Sequence, residues 1–320
     1  MTDARPMPTS PADVTVVVPC YAQAHYLDEC LRSVREQTRG TWCAIVVDDA
    51  SPDAAMIDAV LARLADARIT LARHATNRGL AAARNTGIRA SATPYVLCVD
   101  ADDVLDARYL EHLVTLLAAD ATLDCAFSDM QLFGAIDERR RHAVPAPGEI
   151  LEGQPVPPNM LMTRRLWERV GGYDESATMR LGREDWEFYI RAFSGGCRAV
   201  HVAEPLYRYR TAAHSMNIAC RAREHVVRRY IYEKHRALFD AAGQGRAVLA
   251  SGYDRAAAAA QAAGHPLRML RLAAHALALR PTWRRCKQTL RAVRLMSGLP
   301  GPRMLRERWA AAPPRATTES

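Results

Sequence analysis

The amino-acid sequence predicts an α/β fold, a largely parallel sheet with helices on both faces, followed by a C-terminal α-helical region. Three observations predict it. Nearly continuous apolar runs of strand length alternate with segments whose apolar residues recur at helical spacing. The connections between them are a few residues long, as in strand–helix–strand units. Past about residue 218 the strand-like runs stop, and the chain becomes rich in alanine and arginine at helical spacing.

Residues 1–13, MTDARPMPTSPAD, are polar and proline-rich and are expected to be a disordered leader. Val14–Pro19 (VTVVVP) is a short unbroken apolar run, the pattern of a strand buried on both faces. In the segment after it Leu27, Cys30, Leu31 and Val34 form one apolar helical stripe. WCAIVVDDAS is a second buried strand that ends in acid. MIDAVLARLA reads as a helix, RITLARH as a third strand, GLAAARNTGIRA as a helix and YVLCVD as a fourth strand. Leu110, Leu113, Val114 and Leu117 mark another amphipathic helix, and DCAFSDMQLF is a strand. Residues 136–159 are charged, then proline-rich, and are expected to form a loop across the open face. LMTRRLWERVGGYDE holds a short helix stopped by Gly171 and Gly172. REDWEFYIRAF is a helix, and CRAVHVAEPLYRYR a pair of short strands. The expected division is an α/β domain over 14–217, a helical subdomain over 218–311 and a disordered tail over 312–320.

The chain has 320 residues, 49% hydrophobic and 24% charged, with a formal net charge of +8. This is the composition of a soluble globular protein. Lys234 and Lys287 are the only lysines, so the basic surplus is arginine. It suits anionic ligands, nucleic acid or a membrane surface, and charge alone does not choose among them. The eight cysteines include no C-x-x-C pair, and Cys20, Cys43 and Cys98 lie in or beside apolar runs. Buried free thiols in a reducing compartment fit this better than disulfides. No stretch approaches the ~18 uninterrupted apolar residues of a membrane span. The first residues lack the apolar core of a signal peptide. The sequence reads as cytoplasmic.

Three of the expected strands end in polar residues: PCY after the first, DDAS after the second and DADD after the fourth. Ligands gather at the carboxyl ends of parallel strands, so these segments would line one rim. The third is the most charged, with Asp100, Asp102 and Asp103 inside four residues. Two carboxylates so spaced can share a hard cation such as Mg²⁺ or Mn²⁺. Alternatively, Asp102, Asp103 or Asp106 caps the next helix. The strand tip alone leaves both readings open.

The blocks VVVPCYAQAHYLDECLRSVREQT, VVDDAS, NRGLAAARNTGIRAS and YVLCVDADD resemble glycosyltransferase family 2 in order and spacing. The later blocks VGGYDE and GREDWEFYIR fit the same pattern. The first block carries Ala22 where the usual form has Asn. The resemblance covers roughly residues 14–217. It implies a GT-A-type, Rossmann-like fold and inverting transfer of a sugar from a UDP-sugar to a hydroxyl of a glycan or lipid-linked acceptor, in cell-surface polysaccharide biosynthesis.

Carried over residue by residue, the resemblance implies a nucleotide site of Pro19, Tyr21, Asp49, Ser51, Arg84 and Asp100. Asp49 would accept from the base, Tyr21 would stack beside it and Pro19 would shape the wall. Arg84 would reach the diphosphate, which suits its planar fork of donors. Asp100 would contact the ribose or a metal-bound water. Asp102, with Asp100 and His214, would hold Mn²⁺ or Mg²⁺, neutralising the leaving diphosphate. Of the acids that open the REDWEFYIRAF helix, Asp185 matches the general base. Glu184 would orient the acceptor or raise the basicity of its neighbour. Trp186 is either an apolar platform for the acceptor sugar or a core residue.

Two other readings compete. DADDV also satisfies the D-x-D-x-V nucleophile motif of haloacid-dehalogenase-like phosphatases. That class places the motif after its first strand and needs a later lysine, whereas here three strands precede it and both lysines lie in the helical tail. The chain could instead be a non-catalytic arginine-rich binding protein. Arg271, Arg280, Arg284, Arg285, Arg291 and Arg294 crowd the C-terminal helices without the aromatic interleaving of single-strand binders. No nucleic acid is expected as a partner. A peripheral contact with anionic lipid at the inner membrane face suits these helices better. Leu267, Leu270, Ala274 and Leu277 share helical spacing and are expected to be core.

Overall fold

The computed structural model describes residues 12–146, 148–211 and 220–297. They fall into two compact units. One holds the chain up to Cys220 together with Ala237–Gln244; the other holds Arg221–Arg236 and the chain from Gly245 on. The change of sequence style near residue 218 thus lies beside the division, but a short segment returns to the first unit. There Gln244 Nε2 donates to Glu152 at 3.0 Å.

The first unit is built on strands β1 (Val14–Cys20), β2 (Trp42–Asp48), β3 (Ile69–Arg73) and β4 (Tyr95–Cys98), with helices α1 (Ala24–Arg35), α2 (Ala54–Leu64), α3 (Leu80–Ala90) and α4 (Tyr109–Ala119). The strands run parallel in the order β3-β2-β1-β4. Every residue of β1 and β2 is buried, which is why both read as unbroken apolar runs. Val14, Val16 and Val18 pack in one core with Leu27 and Leu31 of α1, Ile57 and Val60 of α2, and Leu110 and Leu113 of α4. Val17 points the other way, onto α3, where Gly87 lets the helix axis approach. A Cβ on Gly87 would stand 2.3 Å from Val17 Cγ1.

The chain leaves β1 toward β2 and β3 and then returns to lay β4 on the opposite side of β1. The strand order reverses there, and loops that follow β1 and β4 diverge around a crevice. Tyr21 follows β1 and Asp100 follows β4, so the topology alone directs these residues to one place.

Beyond β4 the sheet is mixed. Strands β5 (Val104–Leu105), β6 (Cys125–Gly134), β7 (Glu138–Arg140), β8 (Leu161–Thr163) and β9 (Ala199–Thr211) extend it. β8 runs antiparallel to both β4 and β6, β6 runs parallel to β9, and β5 and β7 add antiparallel pairs to β9 and β6. Two expectations are corrected here. Residues 136–159 are not a plain loop: they contain β7 and the short helix α5 (Glu149–Glu152). The segment expected as two short strands is the single strand β9. Its register with β6 slips between Ser128↔Val202 and Met130↔Tyr207, which absorbs Glu204 and Pro205, a residue without an N–H for the ladder. β5 has only two residues, too few to leave a periodic signal.

Helix α6 (Arg164–Val170) is capped by the Thr163 hydroxyl, which accepts from the Leu166 N–H, and ends at Gly171 and Gly172 with φ of 83° and 77°. Helix α7 (Glu184–Ser194) then carries the second acidic pair.

The C-terminal helices are α8 (Glu224–Lys234), α9 (Arg236–Ala241), α10 (Gly245–Ala262), α11 (Pro266–Leu279) and α12 (Trp283–Ser297). Tyr253, Ala256, Ala257 and Ala260 of α10 meet Met269, Leu272, Ala273 and Ala276 of α11 and Ala292 of α12. This corrects the expected stripe: Leu267 and Ala274 are exposed, and only Leu270 and Leu277 of that set are partly buried. Arg268, Arg271 and His275 share the outer face of α11, opposite the buried Met269, Leu272, Ala273 and Ala276. Among the described residues no helix is long and apolar enough to cross a membrane.

The α3–β1 contact gives a test. Gly87→Ala should lower the stability of the first unit by about 2 kcal/mol in urea unfolding, because an added methyl overpacks against Val17. Gly40→Ala, with no atom within 4 Å of the new methyl, should be near neutral. Stabilisation by Gly87→Ala would show that α3 does not sit this close to β1.

Candidate active site

Helix α3 presents Arg84 to the interior, where the side chain is 1% exposed. Its guanidinium Nη1 donates to Glu184 Oε1 at 2.7 Å and its Nη2 to Asp100 Oδ1 at 2.9 Å. The Tyr173 ring lies 5.5 Å away, and Nε is buried without a partner. A buried guanidinium costs several kcal/mol unless it is paired, and two carboxylates supply the pairing. One cation therefore ties the tip of β4 to the N-terminus of α7, so the two acidic clusters form one site. Arg84 thus meets two acids here, one through each end of its fork.

The next residue of α3 completes the link. Asn85 Nδ2 donates to the Tyr173 carbonyl and to Glu175, both at 2.8 Å. Its Oδ1 accepts from the Tyr173 N–H at 2.9 Å and from Trp167 Nε1 at 3.1 Å. Gly172 is needed at this approach, since a Cβ there would lie 2.9 Å from Asn85 Oδ1. Thus α3, with Arg78 and Asn77 just before it, draws VGGYDE and the start of α7 to the carboxyl end of the sheet.

The three acids after β4 have separate fates. Asp100 takes Arg84. Asp103 is fully enclosed; its Oδ2 accepts from the Tyr207 hydroxyl at 2.7 Å and its Oδ1 from the Arg210 N–H at 2.8 Å. The Tyr207 oxygen also stands 2.6 Å from the Asn159 amide. Asp103 therefore anchors β9 and does not cap α4. Asp106 makes a turn by accepting from the Arg108 N–H at 3.0 Å, and the α4 N-cap position has no side-chain cap. The capping reading of the strand tip fails. Asp102 remains half-buried, with Gln23 the nearby side-chain donor. Burial, then the Asp100 charge, pushes its carboxyl up to about 6. Burial likewise pushes Glu184 up to about 7, against the pull of Arg84 and with a contribution from Asp185.

Asp185 is half-buried, and its Oδ2 accepts from Gln154 Nε2 at 2.7 Å while its Oδ1 accepts from the Trp186 N–H at 2.7 Å. It is the more accessible of the α7 pair. Trp186 is 1% exposed and its Nε1 donates to the Ile150 carbonyl at 2.6 Å, so the ring is core and offers no face to a sugar.

On the nucleotide side, Tyr21 stands open on the rim at 49% exposure and Pro19 is buried within β1. Asp49 holds the turn into α3. Its Oδ1 accepts from the Arg78 N–H at 2.8 Å and lies 2.6 Å from His74 Nδ1, and its Oδ2 accepts from the Gly79 N–H at 2.7 Å. A single lone-pair site on Oδ2 is left unused, on a side chain only 4% exposed. Ser51 braces the loop after β1, donating to the Cys20 carbonyl and accepting from the Ala22 N–H, both at 3.2 Å. His214 lies outside the described residues.

Among the described residues no group of three or more His, Cys, Asp or Glu side chains is placed to hold a metal. Asp100 and Asp102 nevertheless supply two hard oxygen donors, the second with its carboxyl raised by burial and then by the Asp100 charge. That donor set fits a Mg²⁺- or Mn²⁺-like ion, which takes one or two carboxylates and completes its sphere with phosphate oxygens and water. Asn85, Gln154, Asn159, Tyr207 and Arg210 were missed from sequence. PLYRYR shows alternation, but the contact with Asp103 depends on β9 lying beside β5, which no local pattern announces.

The raised carboxyl of Asp102 has a measurable consequence. Its folded-state value of about 6 exceeds the ordinary 3.8, so the unfolded chain releases this proton first and stability falls as pH rises through that window. Asp102→Asn removes this component. Without divalent cations, the variant's stability relative to the wild type should rise by on the order of 2 kcal/mol between about pH 4 and pH 7. A pH-independent difference in urea unfolding would contradict the assignment.

The geometry agrees with comparison to known proteins. Residues 15–187 match Glycosyl transferase family 2. EpsE of Bacillus subtilis is 30% identical over 203 residues, 62% of this chain and 72% of EpsE. WfgD of Escherichia coli, a UDP-Glc:alpha-D-GlcNAc-diphosphoundecaprenol beta-1,3-glucosyltransferase, is 29% identical over 104 residues, 32% of this chain and 40% of WfgD. The mannosyltransferase PcManGT of Pyrobaculum calidifontis, solved with GDP-Man and Mn²⁺, superposes with a TM-score of 0.55 at 23% identity, over 97% of this chain and 91% of PcManGT. That likeness establishes the GT-A-type fold. With the family matched over more than half its length and the acids gathered at the strand-order reversal, the chain belongs to glycosyltransferase family 2 and is a glycosyltransferase.

Proposed function

We propose that this chain is a divalent-metal-dependent, inverting glycosyltransferase that moves a sugar from a UDP-sugar to a hydroxyl of a glycan or lipid-linked acceptor. The observation that carries the reading is the Arg84 bridge, which joins Asp100, beside Asp102, to Glu184, beside Asp185. Donor-side and acceptor-side acids then stand on one rim. WfgD, a glucosyltransferase with a UDP-Glc donor and a diphosphoundecaprenol-linked acceptor, supports UDP and a lipid-linked acceptor. The Mn²⁺ in the PcManGT complex supports a metal. The reading assigns the reaction to the cytoplasm and to surface polysaccharide assembly.

Each residue then has a task. Asp100 and Asp102 hold the cation, which when bound neutralises the leaving diphosphate. Tyr21 lies open beside the base, and the remaining acceptor site on Asp49 suits a uracil N–H. The half-buried Asp185 takes the proton of the acceptor hydroxyl as that oxygen bonds to the anomeric carbon. The bond from this carbon to the diphosphate oxygen breaks, UDP leaves with the electron pair, and one displacement inverts the centre. Gln154 fixes the Asp185 carboxylate. Glu184, sealed against Arg84, positions the helix end and does not touch the acceptor.

A thermal-shift panel of nucleotide-sugars with and without Mn²⁺ tests this. One UDP-sugar should raise Tm only when the metal is present. Asp102→Ala should lose that shift. Asp185→Asn should keep it while turnover falls about a thousandfold. Normal turnover by Asp185→Asn would remove the base assignment, and a metal-independent shift would remove the cation.

A further inference from the structure

Among the described residues helix α12 is anchored on one side and exposed on the other. On the inner side Ala292 is fully buried, and Arg285 is held by Asp254 at 2.7 Å and by the Arg280 carbonyl at 2.9 Å. The rest of the helix departs from an ordinary solvated face. Trp283, Leu290, Val293 and Leu295 are exposed, Trp283 by 70% and Leu290 by 62%. Arg284, Lys287 and Arg291 are exposed among them, and Lys287 Nζ lies 5.2 Å over the Trp283 ring. Positions 283, 287 and 290 fall on one side of a helix of 3.6 residues per turn. The sequence WRRCKQTLRAVRLMS carries five cations and no acid.

Three occupants could cover such a face, and its chemistry separates them. A second copy of the chain would bring cation against cation, with no acid on the helix to answer them. Nucleic acid would answer the charge but has no use for Leu290, Val293 and Leu295. An anionic lipid surface answers both. Apolar side chains and the amphipathic Trp ring enter the boundary between headgroups and acyl chains, while Lys and Arg stems reach back to the headgroups. We propose that α12 is an interfacial helix that docks the chain on an anionic lipid surface. Trp283, Leu290 and Val293 enter the boundary, and Arg284, Lys287 and Arg291 supply the charge. The inference stands independently of the proposed reaction.

Vesicle flotation of the full chain tests it. The wild type should float with vesicles containing phosphatidylglycerol at low salt, be released at high salt, and ignore pure phosphatidylcholine. The triple variant Arg284→Glu, Lys287→Glu, Arg291→Glu should partition at least about a hundredfold more weakly. Trp283→Ala with Leu290→Ala should partition about tenfold more weakly. As a check that needs no charge variant, anionic vesicles should blue-shift the tryptophan emission of the wild type and leave that of Trp283→Phe much less changed. Failure of the wild type to float at low salt would overturn the proposal. So would equal flotation of the triple variant, or a concentration-dependent dimer or a DNA complex that the same variants abolish in place of vesicle binding.

Discussion

A fully buried arginine between two carboxylates organises the first unit. Arg84 is enclosed because α3 packs tightly on β1 through Gly87, and a guanidinium so placed must be compensated within the protein. Asp100 and Glu184 do this from elements 16 and 100 residues away. Losing one member would leave uncompensated buried charge, at about 3–5 kcal/mol. The bridge thus fixes the loop after β4 relative to the start of α7, and Asn85 holds the intervening turn from the same helix.

This constraint sorts the acids of the rim by what the protein leaves them free to do. Asp103 is held by Tyr207 and the Arg210 backbone, Asp49 makes the turn ahead of α3, and Glu184 and Oδ1 of Asp100 pair with Arg84. Asp102 and Asp185 keep accessible carboxylates, one on each side of the bridge. Residues that the chain uses to build the rim and residues available to a ligand are therefore neighbours in sequence, Asp102 beside Asp103 and Asp185 beside Glu184. The burial that stabilises one member of each pair also raises the carboxyl of Asp102, whose charge is best satisfied by a cation.

Much of the central fold was legible in the sequence, because β1 and β2 are buried on both faces and leave unbroken apolar runs, and because short connections force a parallel order. The rim followed from the polar residues at three strand ends. What stayed hidden depends on long-range pairing. β5 is two residues long, β9 conceals a register slip at Glu204 and Pro205, and Tyr207 reaches Asp103 only once β9 lies beside β5. Arg84 was legible as important but its partners were not, since nothing local distinguishes an arginine that meets phosphate from one that meets two acids. Trp186 was ambiguous for the same reason, whereas α11 was misread although Arg268, Arg271 and His275 mark its outer face.

The most direct measurement is the crystal structure of the protein with UDP and manganese, with the metal located by its anomalous signal. The account predicts manganese on the Asp102 carboxylate, with Arg84 still bonded to Asp100 and Glu184 and the diphosphate held by the cation. An Arg84 side chain swung off both acids onto the diphosphate, or a manganese peak away from Asp102, would contradict it.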